Sequence, residues 1–293
     1  MRQPRALITG LSSSLAYGAA LALKSIGFHV IGVTRNLSSV LEVTQETVNW
    51  IDPKSWPRKS FTHPFDFVLH TAAQGPASTV ESHYQVNCEI PLNFFSQLEF
   101  FPWTKFVFTS TTSVYTPRVG EVINEFTIPN PGSEYALSKL AFENAIPSVL
   151  LSRGSEGHAL VLRLPTLLGR KVSSNLIHRW CEIAVKNQSI HVRNPDEKFD
   201  AVVSEEDVIR RILSETKQQI AIKYVVNCHS NGDITFLESA KLVSSFLNGP
   251  APMTIEDSSA IPTHLTNINE HTFANISTRF SLTRYLRMMG SHI

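Results

Sequence analysis

LITGLSSSLAYG, residues 7–18, decides the fold. An apolar run that begins at Arg5 stops at Gly10, three serines follow, and residues 13–26 then carry apolar side chains at helical spacing. That pattern reads as a strand, a tight turn and a helix. The next run, FHVIGVTR, is strand-like again and closes at Asn36. A strand, a crossover helix and a second strand make the repeating unit of a parallel sheet.

The alternation continues through FDFVLHTAA, a helix-like stretch at 81–99, TKFVFTSTTSVY, a helix from Ser133, and HALVLRLP. The expected fold class is α/β: a Rossmann-like doubly wound parallel sheet over residues 1–165, a smaller C-terminal α/β region over 166–293, and a return of 199–228 to the first domain. After PNPG, Ser133 is the expected N-cap, and Leu137, Leu140, Ala141, Ala145 and Val149 repeat at helical spacing. Pro147 is expected to kink or end that helix. Beyond Pro165 the pattern loosens into a helix at 176–186, a strand IKYVVN and a helix at 235–246, with NGPAP at 248–252 as a breaker.

Composition sets the bounds. With 293 residues, 42% hydrophobic and 17% charged, the chain can bury a large core. Lys and Arg number 26 against 25 Asp and Glu, so no global field draws in nucleic acid or an anionic membrane, and anionic ligands must be met locally. Cys88, Cys181 and Cys228 lie far apart, which suits neither paired disulfides nor a zinc site and reads as buried thiols in a reducing compartment. No apolar run reaches the roughly 18 residues of a membrane span, so the cytoplasm is the expected location. No His, Asp or Glu cluster suggests a metal.

In YALSK, residues 135–139, Tyr135 and Lys139 stand one helical turn apart and share a face. An ammonium beside a phenol favours the phenolate, each unit of depression being worth about 1.4 kcal/mol, so a shift of a few units makes Tyr135 an acid/base near neutrality. With 6 Tyr in the chain, about 0.2 such pairs are expected by chance. The position adds weight: the pair opens the helix after the strand whose tail, TSTTSVY, sets hydroxyls at the carboxyl edge of the sheet, where open α/β sheets bind ligands.

These segments resemble the extended short-chain dehydrogenase/reductases, the epimerases, dehydratases and 4-ketoreductases that act largely on nucleotide sugars. LITGLSSSLA, VLHTAA (68–73), FTSTTSVY (108–115), YALSK and LRLP (162–165) stand in the family's order, while FDAVVSEEDV (199–208) and YVVNCHSNGDITFLESA (224–240) match its second half loosely. The resemblance implies a C-terminal region that binds substrate. It makes Tyr135 the catalytic acid/base, and Lys139 both its electrostatic partner and a donor to the nicotinamide ribose. Thr111 falls where the family has Ser or Thr, a hydroxyl that bonds the reacting oxygen. A strand-end hydroxyl tied to local backbone is the competing reading, with Ser110 or Thr112 able to substitute. Thr71, Ala72 and Ala73 fall where small side chains let the cofactor rest on the strand end, and Asn87 of YQVNCEIP matches an Asn that mainly shapes the site. Asp52 of WIDP falls beside the adenine, and Pro165 completes the cofactor set. His70 reads as a packed strand-end residue.

Against the family's Gly-x-x-Gly-x-x-Gly, the turn reads Gly10, Ser13, Ala16. The Cβ of Ser13 is expected to push the pyrophosphate outward or force a different turn, at a strain of about 1–3 kcal/mol. The hydroxyls of Ser12, Ser13 and Ser14, beside Leu15 at the positive end of a helix, are expected to offset this by donating to phosphate. A surface serine turn on a degenerate protein is the alternative. Thr34 stands where NAD-preferring members carry an acid, and Arg35 follows, which favours NADP(H) over NAD(H) because Arg neutralises a 2′-phosphate. A solvated surface Arg is the competing reading.

Family dehydratases place an acidic pair beside the catalytic Thr, whereas Thr112 and Ser113 follow here. The expected reaction is reduction of a ketone on a nucleotide-linked sugar, with NADPH as hydride donor and Tyr135 as proton donor. A 4-epimerisation through a transient ketone is the alternative, and a non-catalytic NADP-binding sensor is the alternative of another class. Where many nucleotide-sugar enzymes carry an Arg and a His, this chain has Phe199 and Val203. Arg170, Arg179 or Arg193 then meets the phosphates, or the substrate is a smaller ketone or aldehyde. A homodimer is the expected assembly.

Overall fold

The computed structural model describes residues 2–34, 46–49, 63–76, 82–116, 121–156, 159–169, 175–217, 224–247, 252–256, 264–265 and 276–290. β1 (Arg5–Thr9) leads into α1 (Ser14–Ser25), followed by β2 (His29–Thr34), β3 (Glu46–Asn49) and β4 (Phe65–His70). A helical segment at 83–95 comprises a π turn over Gln85–Glu89 and α2 (Ile90–Phe95), and β5 (Phe100–Thr111) comes next. The chain continues through β6 (Val122–Ile123), α3 (Glu134–Ser152), β7 (Ala159–Leu164), β8 (Thr166–Leu168), α4 (Leu176–Val185) and β9 (Ile190–Arg193). It closes with β10 (Val202–Ser204), α5 (Glu205–Glu215), β11 (Tyr224–Asn227), α6 (Phe236–Leu247), β12 (Met253–Glu256), β13 (His264–Leu265) and α7 (Thr278–Gly290).

Seven strands form one sheet in the order β11-β7-β5-β4-β1-β2-β3. The pairings in its first half are parallel: Leu7 lies opposite Ile31 on one side and Val68 on the other, and Val68 lies opposite Phe106. The chain runs outward from β1 to β3, then returns past β1 to begin β4. That reversal of strand order makes a crevice at the carboxyl ends of β1 and β4, where a doubly wound fold binds its ligand.

The sheet is apolar on both faces, as covered parallel sheets are. Leu7, Ile31, Val68, Phe106 and Phe108 pack with Phe94 and Phe95 of α2 and Phe142 of α3. Each fully buried ring stabilises the fold by about 1.5–3 kcal/mol relative to exposure. Alternation turns Ala6, Ile8, Val30 and Phe67 to the opposite face, where all are buried too.

The chain divides into two compact units, one of residues 1–116, 129–163 and 209–226, the other of 117–128, 164–208 and 227–293. Residues 117–128 therefore belong to the second unit, and the returning segment is 209–226. The second unit has its own core, in which Ile177, Trp180 and Cys181 of α4 meet Ala240 and Val243 of α6 and Leu282, Tyr285 and Leu286 of α7.

Two expectations change, and one element is new. Pro147 does not end α3, which runs on to Ser152; Ile146 and Leu150 on either side are fully buried, and that packing outweighs the hydrogen bond a proline forfeits. The stretch expected as one helix over 81–99 is described as helix over 83–95, and within it the Ile90 N–H reaches back five residues to Gln85 O. The extra residue of that π turn is absorbed just before Pro91, whose missing N–H interrupts the ladder anyway. α7 was not anticipated, although Leu282, Tyr285 and Leu286 carry the helical spacing. All three cysteines are buried free thiols, and no helix among the described residues is long and apolar enough to cross a membrane.

Candidate active site

Gly10 turns the chain out of β1 with φ +79°, and a Cβ placed there would lie 2.6 Å from Thr71 Oγ1 and 2.7 Å from Ala72 N. Conformation and space both demand glycine. Ser13 is different: its φ of −82° and ψ of 147° are extended backbone, so the strain expected there is absent. It is the N-cap of α1, its Oγ accepting the Ala16 N–H at 3.2 Å and donating to Gly10 O at 2.9 Å. The Ser13 hydroxyl thus bridges Gly10 and the first turn of α1. Helix packing is also close at Gly18, where a Cβ would come 2.7 Å from Ile209 Cδ1 of α5.

The turn opens on a cavity lined by Gly10, Ser12, Ser13, Val33, Thr34, Thr71, Ala72, Ala73 and Val86. An anion held there meets the positive end of α1, and small side chains leave room at the strand ends, so the residues fit a dinucleotide. Of the other cofactor residues expected from the sequence, Ser14 and Leu15 form the first turn of α1, and Pro165 belongs to the second unit. Arg35 and Asp52 lie outside the described residues. Asn87 is spent on the protein: its Oδ1 accepts the Gln74 N–H at 2.7 Å, and its Nδ2 donates to Gln74 O at 3.1 Å and Ser138 Oγ at 3.2 Å. It ties the segment after β4 to α3 and so shapes the site.

Thr9 closes β1 against His70. Its Oγ1 accepts the Thr71 and Ala72 N–H groups, each at 3.2 Å, and lies 2.7 Å from His70 Nδ1. With two donors already received, the Thr9 proton goes to Nδ1 and the imidazole is neutral. Burial and then the Lys139 charge hold His70 well below its usual range. It stacks on Phe108 with ring centroids 5.3 Å apart, a packed strand-end residue.

Thr111 ends β5. Its hydroxyl accepts the Ser113 N–H at 3.1 Å, the local-backbone reading, and also acts on the Tyr135 phenol. Ser110 is occupied elsewhere, donating to Glu143. α3 starts one residue before Tyr135, capped by Ser133, whose Oγ accepts the Ala136 N–H at 3.2 Å.

Lys139 is 2% exposed, with Nζ 4.3 Å above the centre of the Phe108 ring. Burial brings its amine down to about 7, with Glu143 pulling it up. Burial pushes the Tyr135 phenol up, with the Thr111 hydroxyl pulling it down. The expected lowering of Tyr135 by Lys139 is therefore reversed. Desolvation favours the neutral phenol, and near neutrality Lys139 has itself given up much of its charge.

Two features had escaped the sequence. His83 sets its ring 5.9 Å from that of Tyr135 at 78° between planes, and its buried Nδ1 has no hydrogen-bond partner among the described residues. Behind Lys139, Glu143 accepts from Arg163 Nε at 3.2 Å and Nη2 at 2.6 Å, and Arg163 Nη1 donates to Tyr115 Oη at 2.5 Å. The signal for this network was an arginine inside the apolar run HALVLRLP, since a buried charge must be paired. In the second unit, Arg193 pairs with Glu256 at 3.3 Å and Arg179 is exposed, while Arg170 lies outside the described residues. Phe199 packs on Phe236, with ring centroids 4.9 Å apart.

Residues 6–230 match the NAD dependent epimerase/dehydratase family. A search of curated proteins finds no match. Among solved structures, UDP-N-acetylglucosamine 4-epimerase from Methanobrevibacter ruminantium M1 in complex with UDP-N-acetylmuramic acid has a TM-score of 0.77 at 18% identity, covering 100% of both chains. UDP-glucuronic acid 4-epimerase from Bacillus cereus in complex with NAD has a TM-score of 0.76 at 17% identity, over 98% of this chain and 99% of that one. UDP-glucose 4-epimerase from Thermotoga maritima with UDP-glucose gives 0.76 at 18% identity, over the same 98% and 99%. At these identities the likeness is one of fold.

Proposed function

The chain belongs to the NAD dependent epimerase/dehydratase family, the kin of NAD-dependent oxidoreductases and epimerases, and from that premise we propose that it reduces a keto group on a nucleotide-linked sugar. The observation that carries the reading is the placement of Thr111 at the end of β5, where its hydroxyl acts on the buried Tyr135 phenol, at the same carboxyl edge as the glycine turn, with Lys139 one turn further along α3.

A bound nicotinamide supplies the hydride donor and acceptor. Tyr135, its phenol pushed up by burial, keeps its proton at neutral pH and is poised to give it to a carbonyl oxygen becoming an alcohol. Thr111 holds that oxygen by a second hydrogen bond as charge grows on it. Lys139, with its amine brought down to about 7, keeps part of its charge at neutral pH and brings amine donors that suit a ribose hydroxyl. The acid form of Tyr135 favours reduction, because epimerisation must begin by taking a proton from the sugar.

NADP(H) is the favoured cofactor in this reading, since Thr34 brings no carboxylate against a 2′-phosphate. A homodimer is part of it too, with Tyr84, Leu137 and Leu151 leaving apolar side chains exposed on the 83–95 segment and α3. The second reading, 4-epimerisation, has in its favour the three 4-epimerases named above. Titration with NADPH and NADH by fluorescence, followed by incubation with 4-keto nucleotide sugars, tests the first. Stoichiometric NADPH consumption supports reduction. Interconversion of UDP-glucose and UDP-galactose without net cofactor use replaces it with the second.

A further inference from the structure

Beneath the Tyr135–Lys139 face lies a set of buried charges that the proposed reaction does not use. Glu143 is fully buried one helical turn beyond Lys139, and Arg163 is 4% exposed. The carboxylate receives Ser110 Oγ and two guanidinium nitrogens, while the third guanidinium nitrogen is held by Tyr115. Buried ion pairs of this kind add little to stability over apolar residues of similar volume, so folding alone gives no reason to keep one here.

The groups facing Lys139 define its electrostatics. Tyr135 and Glu143 share its helix, the Phe108 ring lies under the amine, and His70 of β4, stacked on Phe108, feels its charge. Tyr135 and His70 are neutral at neutral pH, and the guanidinium of Arg163 on β7 is paired with Glu143. The negative charge among these groups is Glu143. Its oxygens are taken by Arg163 and Ser110, so it forms no direct ion pair with Lys139 and acts through its field, leaving the amine donors for a ligand.

We propose that Glu143, clamped by Arg163 and Ser110, is a positioning residue that holds Lys139 as a cation in a site stripped of water. This rests on the reading of Lys139 as part of the catalytic set. The amine is already brought to about 7 by burial with the carboxylate present, so without it the cation is lost across the neutral range.

Carbon-13 NMR of labelled lysine in the cofactor-free protein follows the titration of Lys139 directly, its resonance identified by disappearance in Lys139→Met. Glu143→Gln is expected to move the midpoint to lower pH by about one unit. Ser110→Ala, which disturbs the same carboxylate without changing charge, is expected to leave the midpoint in place. If the stranded Arg163 unfolds Glu143→Gln, the neutral double variant Glu143→Gln with Arg163→Gln carries the same test, with a smaller shift in the same direction because the neighbouring cation is removed too. An unmoved midpoint in the charge-free variant, or an equal shift in Ser110→Ala, overturns the proposal. Failure to reduce any keto sugar while the midpoint shifts as expected overturns the functional reading and leaves this one standing.

Discussion

Ser13 Oγ accepts the Ala16 N–H at 3.2 Å, so a hydroxyl caps α1 in a turn where the related pattern has glycine. Removing that oxygen in Ser13→Ala is expected to cost about 1 kcal/mol, and Ser13→Gly only a few tenths. Gly10→Ala is expected to cost more, about 1–3 kcal/mol from its left-handed conformation alone, with the crowding by Thr71 and Ala72 in addition. Urea unfolding of the three variants should rank them Gly, Ala, Gly10→Ala in rising loss. An inverted rank would mean the turn is not held as described.

Tyr135→Phe removes the proton donor and keeps the ring packed on His83. Turnover is expected to fall by about 10²–10⁴-fold with the NADPH titration unchanged. Turnover unaltered in this variant would end the role given to Tyr135.

His70 is held neutral in the folded chain, by burial first and by the Lys139 charge second, whereas in the unfolded chain it takes a proton at about pH 6.5. The unfolded state therefore binds more protons as the pH falls, and stability drops through the range below that value. Between about pH 7.5 and about pH 5.5 the loss attributable to this ring is about 1.4 kcal/mol. His70→Asn should lack that component in denaturant titrations at the two pH values. Identical pH dependence in both proteins would mean that the folded protein protonates His70.

Pro147 interrupts the hydrogen-bond ladder inside α3. Pro147→Ala restores one bond and is expected to raise the unfolding free energy by about 1–3 kcal/mol. A lower melting temperature would show instead that the local backbone depends on the ring.

His83 has a buried nitrogen without a partner, which costs about 1–3 kcal/mol. His83→Phe keeps an aromatic edge on Tyr135 and is expected to melt higher than the parent. A lower melting temperature would show that the nitrogen is satisfied after all.

The strand and helix order around Gly10 was legible because each signal is local: the apolar runs of β1, β2, β4 and β7, the serine cap at Ser133, and the i, i+4 pair of Tyr135 and Lys139. Less legible were features in which one segment's chemistry is completed by another. The spacing in FDFVLHTAA gives no hint that His70 accepts a hydrogen bond from Thr9, and Ser110 in TSTTS looked interchangeable with its neighbours until Glu143 claimed it. α7 carried a helical pattern that the looser second half of the chain obscured.

By itself, then, the sequence determined which residues would stand at the carboxyl edge of a parallel sheet, since period and turn chemistry act over a few neighbouring positions. Tertiary structure alone decided their charge. The protonation of Tyr135, Lys139 and His70 follows from how much water the packed strands remove and from where Glu143 is pinned by Arg163. Desolvation and Coulomb fields depend on distances in space, which spacing along the chain does not contain.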